Sequence, residues 1–132
     1  MSDPAAGAGG ERPNEAGLGA LAQRAEDGPV TMLNLLAFDP DGGAERYAEY
    51  GRAVEPLLER VGARVLYAGA AGPAVIGSDG WDLVLLVEYP TRQTFLDMVG
   101  SPEYMEIAHL RTEALARSQL HPLDRVDPAL LG

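Results

Sequence analysis

The sequence lacks two reactive residue types: its 132 residues include no cysteine and no lysine. Without cysteine the chain can form no disulfide, no thiolate metal site and no thiol nucleophile. Without lysine it can form neither a Schiff base with a carbonyl substrate nor a phosphate-binding P-loop. These absences exclude several large classes of enzyme.

Positive charge is also scarce. The ten cationic side chains are all arginine, and against twenty Asp and Glu they leave a formal net charge of -10. A polyanionic chain repels phosphate backbones, so we expect no nucleic-acid partner. No apolar run approaches the roughly 20 residues that cross a bilayer, and the first residues lack the basic start and apolar centre of a signal peptide. We therefore expect no membrane partner and a cytoplasmic protein.

The two ends of the chain differ from its middle. Residues 1–29 are rich in glycine and proline and contain no aromatic residue. They bury too little apolar surface to offset the entropy lost on ordering, so we expect a flexible segment with at most a short docked helix around residues 16–24. Residues 30–123 form the expected folded domain. Residues 124–132 form a tail whose apolar end either frays or docks on a neighbouring subunit.

The hydrophobic pattern of the middle predicts an alternation of strands and helices. The expected elements are a strand at 30–38, a helix over 47–61 that ends at Gly62, an interrupted strand over 63–76, a strand at 81–89, a short helix at 91–99, a helix at 102–117 and a strand at 118–123 with an edge position favoured by Pro122. This β-α-β-β-α-β order predicts an α+β, ferredoxin-like fold with both helices on one face of an antiparallel sheet.

Two predicted strands are apolar on both faces, although the helices can cover only one. Residues 83–87 are entirely apolar, and residues 32–36 are apolar apart from Asn34. The simplest cover for the second face is another copy of the same sheet. We therefore predict a homodimer whose sheets pack face to face and form a dimeric α+β barrel.

Several short motifs follow one another in a fixed order along the chain. They are Met32-Leu33-Asn34-Leu35-Leu36, Tyr47-x-x-Tyr50, Trp81-Asp82, Glu88-Tyr89-Pro90, Ser101-Pro102-Glu103-Tyr104 and Arg111-x-x-Ala114-Leu115. Over roughly residues 30–120 the series resembles the bacterial domain-of-unknown-function family 1330, a branch of the dimeric α+β-barrel superfamily. The resemblance implies a ferredoxin-like protomer and a homodimer, but no settled activity, because the superfamily includes cofactor-free monooxygenases, lactone isomerases and plain ligand binders.

Three polar residues in apolar surroundings are predicted to bind substrate. Asn34 interrupts an apolar strand, and a buried amide either bonds within the core or lines a cavity. Tyr47 and Tyr50 lie on or beside the core face of the first helix. They are either core residues with hydroxyls at the rim or residues whose hydroxyls point into a pocket between sheet and helices.

Glu88 and His109 are the residues we predict to be catalytic. Glu88 ends an apolar strand, where partial desolvation suits a carboxyl group to acid or base catalysis. The alternative is an ion pair with Arg64 or Arg111. His109 and His121 are the only histidines, so any histidine base is one of them. The alternative for His109 is a solvated helix residue.

Three further residues complete the predicted substrate-binding set. Arg111, within the last helix, either binds a substrate carboxylate or neutralises Glu88. Trp81 and Tyr104 form either an aromatic wall for a ring-shaped ligand or a corner of the core.

These residues lead to one main functional hypothesis. We predict a homodimer that binds a small apolar or aromatic metabolite in a sheet-helix pocket and acts on it as a cofactor-independent enzyme of the oxygenase, isomerase or cyclase type. The alternative is a non-catalytic ligand-binding or structural dimer. No metal is expected, since one Glu106-x-x-His109 pair falls short of the two such motifs that a di-iron site needs.

Overall fold

The computed structural model describes residues 13–131. Residues 1–12 of the predicted flexible segment, and the last residue of the predicted tail, lie outside this range. In chain order the elements are α1 Glu15–Gln23, β1 Val30–Phe38, α2 Gly43–Val61, β2 Arg64–Ala70, β3 Leu83–Tyr89, α3 Arg92–Val99, α4 Pro102–Ala114 and β4 Leu115–Leu123, followed by a 3-10 turn at Pro128–Leu130.

The four strands form one sheet in the order β2-β3-β1-β4, and every neighbouring pair is antiparallel. This arrangement confirms the α+β, ferredoxin-like prediction. β4 lies at an edge, as Pro122 predicts, because proline cannot donate to a second neighbouring strand. β2, at the other edge, carries a bulge where its register with β3 shifts between Val65 and Tyr67.

The strand register divides the sheet into two faces. Asn34 lies opposite Leu85 of β3 and Leu120 of β4, so these three side chains share one face. The helices pack on this side, which we call the helix face. The other side, the open face, carries no helix within residues 13–131. The positions of β1 and β3 on the open face are all incompletely buried: Thr31, Leu33, Leu35, Ala37, Val84, Leu86 and Glu88.

Among the described residues the core lies on the helix face and contains two clusters of buried side chains, and the partly buried Leu85 packs against both. The larger one joins the sheet to α1 and α3 through Leu21, Val30, Met32, Val87, Tyr89, Phe95 and Met98. The smaller one lies towards the other end of β1 and contains Leu36, Ala114 and Leu115. Along β1, Asn34 is the helix-face position between the two clusters.

α1 is fastened to the domain by one core side chain and by charge. Leu21 is buried in the larger cluster. Asp124, which directly follows β4, accepts hydrogen bonds from Arg24 at 2.8 and 2.9 Å and from Arg92 at 2.7 Å. The Arg92 side chain is only 3% exposed. The carboxylate therefore ties together α1, the start of α3 and the chain after β4, in the region where the sequence allowed a docked helix.

α2 begins where two parts of the backbone meet closely. Gly42 precedes it with φ 79, and a Cβ on Gly43 would lie 2.5 Å from the carbonyl oxygen of Ala114. The helix continues through Pro56 and ends, as predicted, at Gly62, which has φ 79. No helix in the described part of the chain is long and apolar enough to cross a membrane.

The boundary between α4 and β4 differs from the prediction. We expected the last helix to reach residue 117, but α4 ends at Ala114 and β4 begins at Leu115. Leu115 pairs with Phe38 of β1 and is buried in the smaller core cluster. Sheet pairing and burial therefore override the helical propensity of residues 114–117.

The interrupted strand predicted over residues 63–76 is also shorter than expected. β2 ends at Ala70, and residues 71–80 form an exposed loop. Inside this loop the Asp79 side chain accepts a hydrogen bond from the Ala74 N–H. This local bond uses a backbone donor that a strand would need for its ladder.

Candidate functional site

The middle of β1 is partly accessible on the helix face at Asn34, and we call this position the opening. Met32 is 2% exposed and Leu36 is 0% exposed, yet Asn34 between them is only half-buried. Its register partner on the edge strand, Leu120, is exposed. The helices therefore leave Asn34 accessible on a central strand, between the two core clusters.

The side chain of Asn34 is weakly bonded within the protein. Its Nδ2 donates to the Met32 carbonyl oxygen over 3.5 Å, which is the upper limit for a hydrogen bond. This is its only side-chain hydrogen bond to any described residue. The amide therefore keeps the capacity to accept and donate hydrogen bonds to a bound molecule.

Three tyrosines from α2 and α4 pack together on the helix face. The rings of Tyr47 and Tyr50 have centroids 5.4 Å apart, and Tyr104 meets Tyr50 edge-on at 6.3 Å. The hydroxyls of Tyr50 and Tyr104 share a hydrogen bond of 2.9 Å. Tyr47 also packs against the smaller core cluster, as does Leu85, the register partner of Asn34. The aromatic group therefore lies on the same side of the sheet as the opening.

Burial keeps the hydroxyls of Tyr47 and Tyr50 protonated. It raises the pKa of Tyr47 to about 12, an effect that the nearby Arg111 guanidinium partly opposes. Burial, reinforced by the neighbouring Tyr104, also raises the pKa of Tyr50 and of Tyr89. At neutral pH the group thus combines uncharged hydroxyls with one permanent positive charge.

This arrangement suits a flat, apolar molecule that carries a hydrogen-bond acceptor or a negative charge. Aromatic faces provide apolar contact, a phenol hydroxyl donates a hydrogen bond, and a guanidinium pairs with a carboxylate. The structure thus brings together four of the predicted substrate-binding residues, Tyr47, Tyr50, Tyr104 and Arg111, and places Asn34 on the same face.

Glu88 lies on the opposite side of the sheet. Its register partners are Thr31 on β1 and Arg64 on β2, and Arg64 Nε donates to its Oε1 over 3.1 Å. The ion pair weighed from the sequence is therefore present, with Arg64 rather than Arg111 as partner. Because Glu88 and Asn34 point to opposite faces, one pocket within the protomer cannot contain both.

Trp81 and His109 are also not part of the tyrosine group. Trp81, directly after the loop of residues 71–80, lies under the guanidinium of Arg117, 4.2 Å from the ring centroid. His109 is exposed on α4. Across residues 13–131, no group of three or more His, Cys, Asp and Glu could hold a metal ion.

The structure contains a cleft that sequence patterns do not predict. It has a volume of about 200 Å³, lies where the end of α2 meets the α3–α4 junction, and is lined by Leu57, Arg60, Val61, Asp97, Met98, Ser101 and Glu103. Arg60 and Glu103 form an ion pair of 3.3 Å there. Helical spacing identifies Leu57, Val61 and Met98 as apolar-face positions, but it carries no signal of a gap between them.

Comparisons with known proteins bear on the fold and the family. The family described as a domain of unknown function, DUF1330, matches residues 42–120. A crystal structure of a protein of unknown function from Rhodopseudomonas palustris is 33% identical, with a TM-score of 0.81, and the alignment covers 90% of this chain and 98% of that chain. A search of curated proteins finds no match.

More distant structures share the fold alone. A dimeric ferredoxin-like protein of unknown function from Jannaschia sp. CCS1 is 12% identical, with a TM-score of 0.61 over 74% of this chain and 100% of that chain. A dimeric protein of unknown function with a ferredoxin-like fold from Bacteroides fragilis is 13% identical, with a TM-score of 0.52 over 74% of this chain and 96% of that chain. The family match spans more than half of the sequence and agrees with the motif series, so the chain belongs to the DUF1330 family.

Proposed function

We propose that the protein is a homodimer that binds a small aromatic or apolar molecule on the helix face of each protomer. The observation that carries this proposal is the opening over Asn34, a half-buried amide between fully buried neighbours on a central strand. A polar side chain that stays partly accessible between two buried apolar positions is unusual for a central strand. The hydroxyls and the guanidinium on the same face provide the polar contacts that would orient a ligand there.

The open face of the sheet supports the homodimer. Leu33, Leu35, Val84 and Leu86 form an apolar row across the two central strands, and none of them is fully buried in the protomer. Contiguous apolar surface of this kind marks interaction sites. A two-fold packing of this face on itself would cover both copies at once. Two proteins with the same fold are described as dimeric.

Sedimentation over a wide range of concentrations tests the dimer. We expect a two-chain species that dissociates on dilution. Leu86→Arg places a charge in the middle of the proposed interface and should give a folded single chain, because a buried unpaired charge is costly. Met105→Ser, on the exposed surface of α4, is the control and should leave the dimer intact. A wild-type protein that stays a single chain at every concentration contradicts this part of the proposal.

The ligand site is tested with an aromatic carboxylate, 2-naphthoate, and with its neutral amide, by calorimetric titration. We expect naphthoate to bind the wild type and to bind the Arg111→Leu variant about tenfold or more weakly, since a charge-assisted hydrogen bond contributes about 1.5–3 kcal/mol. The amide should lose less affinity from the same substitution. Arg60→Leu removes an exposed arginine of α2 and should leave the affinity for naphthoate unchanged.

Two outcomes of this titration would contradict the site. Equal affinity in the wild type, Arg111→Leu and Asn34→Leu would place the ligand away from the opening. Failure of both compounds to bind would exclude this ligand class and would favour the alternative, a structural dimer.

Catalysis by Glu88 or His109 stays a prediction. Glu88 lies on the open face in an ion pair with Arg64, and His109 is exposed on α4. Neither residue shares the opening over Asn34, so each would have to act on a substrate bound elsewhere. The catalytic roles are tested with the variants Glu88→Gln and His109→Ala. Both are assayed on a compound that the wild type has been shown to turn over. Turnover that survives both substitutions rules out the two catalytic assignments.

A further inference from the structure

The loop between β2 and β3 carries two apolar side chains that make almost no contact with their own chain. Within residues 71–80, which we call the arm, Val75 is 98% exposed and Ile76 is 94% exposed. Exposed loops normally consist of glycine, proline and small polar residues, and the rest of this arm contains only these types and two alanines. The apolar pair at its tip does not.

The arm is held in shape by hydrogen bonds at its base and near its tip. The Ala71 N–H donates to the carbonyl oxygen of Asp82 over 2.9 Å, which closes the base. The side chain of Asp79 accepts a hydrogen bond from the Ala74 N–H, across the segment that contains the apolar pair. These contacts hold the pair away from the sheet, where no other residue of the range 13–131 covers it.

The proposed sheet-to-sheet contact has a modest planar footprint. Four strands at a spacing of about 4.8 Å, each about seven residues long at about 3.3 Å per residue, give a footprint of roughly 450 Å² per protomer. Two protomers together would bury about 900 Å² before the corrugation of the side chains is counted. Stable interfaces usually bury about 1,200–2,000 Å². Because the side-chain relief adds to this planar area, contacts beyond the open face are not required for a dimer, but they would enlarge and stabilise its interface.

We propose that the arm packs on a second copy of this chain, with Val75 and Ile76 of each protomer buried against the partner. The inference rests on the proposed dimer and extends its interface beyond the sheet. The second copy is the occupant that fits, because the arm extends from β2 and β3, which form half of the open face. A partner seated on that face lies within reach of the arm, and two-fold symmetry makes the contact occur twice.

The double substitution Val75→Ser with Ile76→Ser tests the contact. Both side chains are exposed in the protomer, so the variant should melt like the wild type when each is placed in the monomeric Leu86→Arg background. In the dimer four apolar side chains are lost, and we expect the dissociation constant measured by sedimentation to rise by about 100-fold or more. Ser78→Ala, in the same arm, should leave the dissociation constant unchanged.

The absence of cysteine allows a second, direct measurement. The Ile76→Cys variant carries the only thiol of the protein. Its reaction with a water-soluble maleimide should be fast when Leu86→Arg is also present and about tenfold or more slower in the dimer, where the partner covers the tip.

The outcomes separate the two proposals. An intact dimer, with an unchanged dissociation constant in the double variant and a fully reactive thiol, would overturn the arm contact and leave the proposed dimer standing. A wild-type protein that never dimerises would overturn both.

Discussion

Buried tyrosines link the stability of this protein to alkaline pH. Burial raises the pKa of Tyr47 from 10.0 to about 12 and raises those of Tyr50 and Tyr89 as well. The folded state holds these protons more tightly than the unfolded chain does. The stability that each group contributes is therefore complete below pH 10 and falls by about 1.4 kcal/mol per pH unit above it, and for Tyr47 this loss ends near pH 12. Denaturant unfolding at successive pH values measures this loss.

The Tyr47→Phe variant is the control for this pH dependence. It removes one titrating group, so its free energy of unfolding should fall less steeply between pH 10 and 12 than that of the wild type. Parallel slopes would show that the pKa of Tyr47 is the same in the folded and the unfolded chain.

At the residue scale, helical spacing predicts which tyrosines of the site face the core. Strand alternation does not predict which residues of different strands share a face. Tyr47 and Tyr50 follow a helical repeat, which places them on the core side of α2 without knowledge of the rest of the fold. Asn34 and Glu88 lie on different strands, and alternation defines faces only within one strand. Which face of β1 matches which face of β3 depends on their register, which the sequence does not state. For this reason the sequence pattern alone does not show that Glu88 and Asn34 lie on opposite faces of the sheet.

At the scale of elements, two glycines of α2 should respond to alanine in opposite ways. A Cβ at Gly43 would lie 2.5 Å from the Ala114 carbonyl oxygen, whereas a Cβ at Gly51 meets nothing within 4 Å. We expect Gly43→Ala to destabilise the protein by about 2 kcal/mol or more, because backbone must move. Gly51→Ala should stabilise it by about 0.5–1 kcal/mol through helix propensity. Denaturant unfolding of both variants checks the contrast, and an equal effect would contradict the close approach.

The attachment of α1 to the domain can be tested through Asp124. Hydrogen bonds from Arg24 and then Arg92 lower its pKa to about 2, so the attachment is complete above pH 3.8 and is lost as the pH falls towards 2. Asp124→Asn at neutral pH removes the same charge. We expect faster hydrogen exchange of the α1 amides in this variant, since local openings follow lost contacts. Asp27→Asn, which removes a carboxylate bonded only to Arg24, is the control. If hydrogen exchange of the α1 amides is unchanged in Asp124→Asn, then Asp124 does not hold α1 to the domain.

The order of the elements was predictable from periodicity, but two of their boundaries were not. The change from alternating or continuous apolar runs to helical spacing locates each strand and helix. The start of β4 at Leu115 depends instead on a partner residue, Phe38, almost eighty positions away in the sequence. Local propensity contains no information about such a partner.

At the scale of the whole molecule, the most informative sequence feature for the architecture was the apolar character of both faces of the central strands. Because β1 and β3 are apolar on both sides, the sequence predicts that helices cover one face of the sheet and that the other face stays uncovered within the protomer. The exposure of Val75 and Ile76 could not be predicted in this way. An apolar pair next to Gly77 equally suits a buried strand end, and only the hydrogen bonds of the arm direct it outwards.

The polar interruption at Asn34 also bears on how the protein unfolds. On β1 Asn34 separates the two buried clusters, although Leu85 on β3 packs against both. Hydrogen exchange of the two halves of β1 should therefore be less cooperative than in a strand whose helix face is apolar throughout. Asn34→Leu, close in volume and fully apolar, would join the halves, and we expect a melting temperature a few degrees higher in calorimetry. An unchanged or lower value would show that the amide is already well accommodated. A ligand bound over Asn34 would contact both halves of β1. Its binding should therefore slow hydrogen exchange of the backbone amides in both halves together.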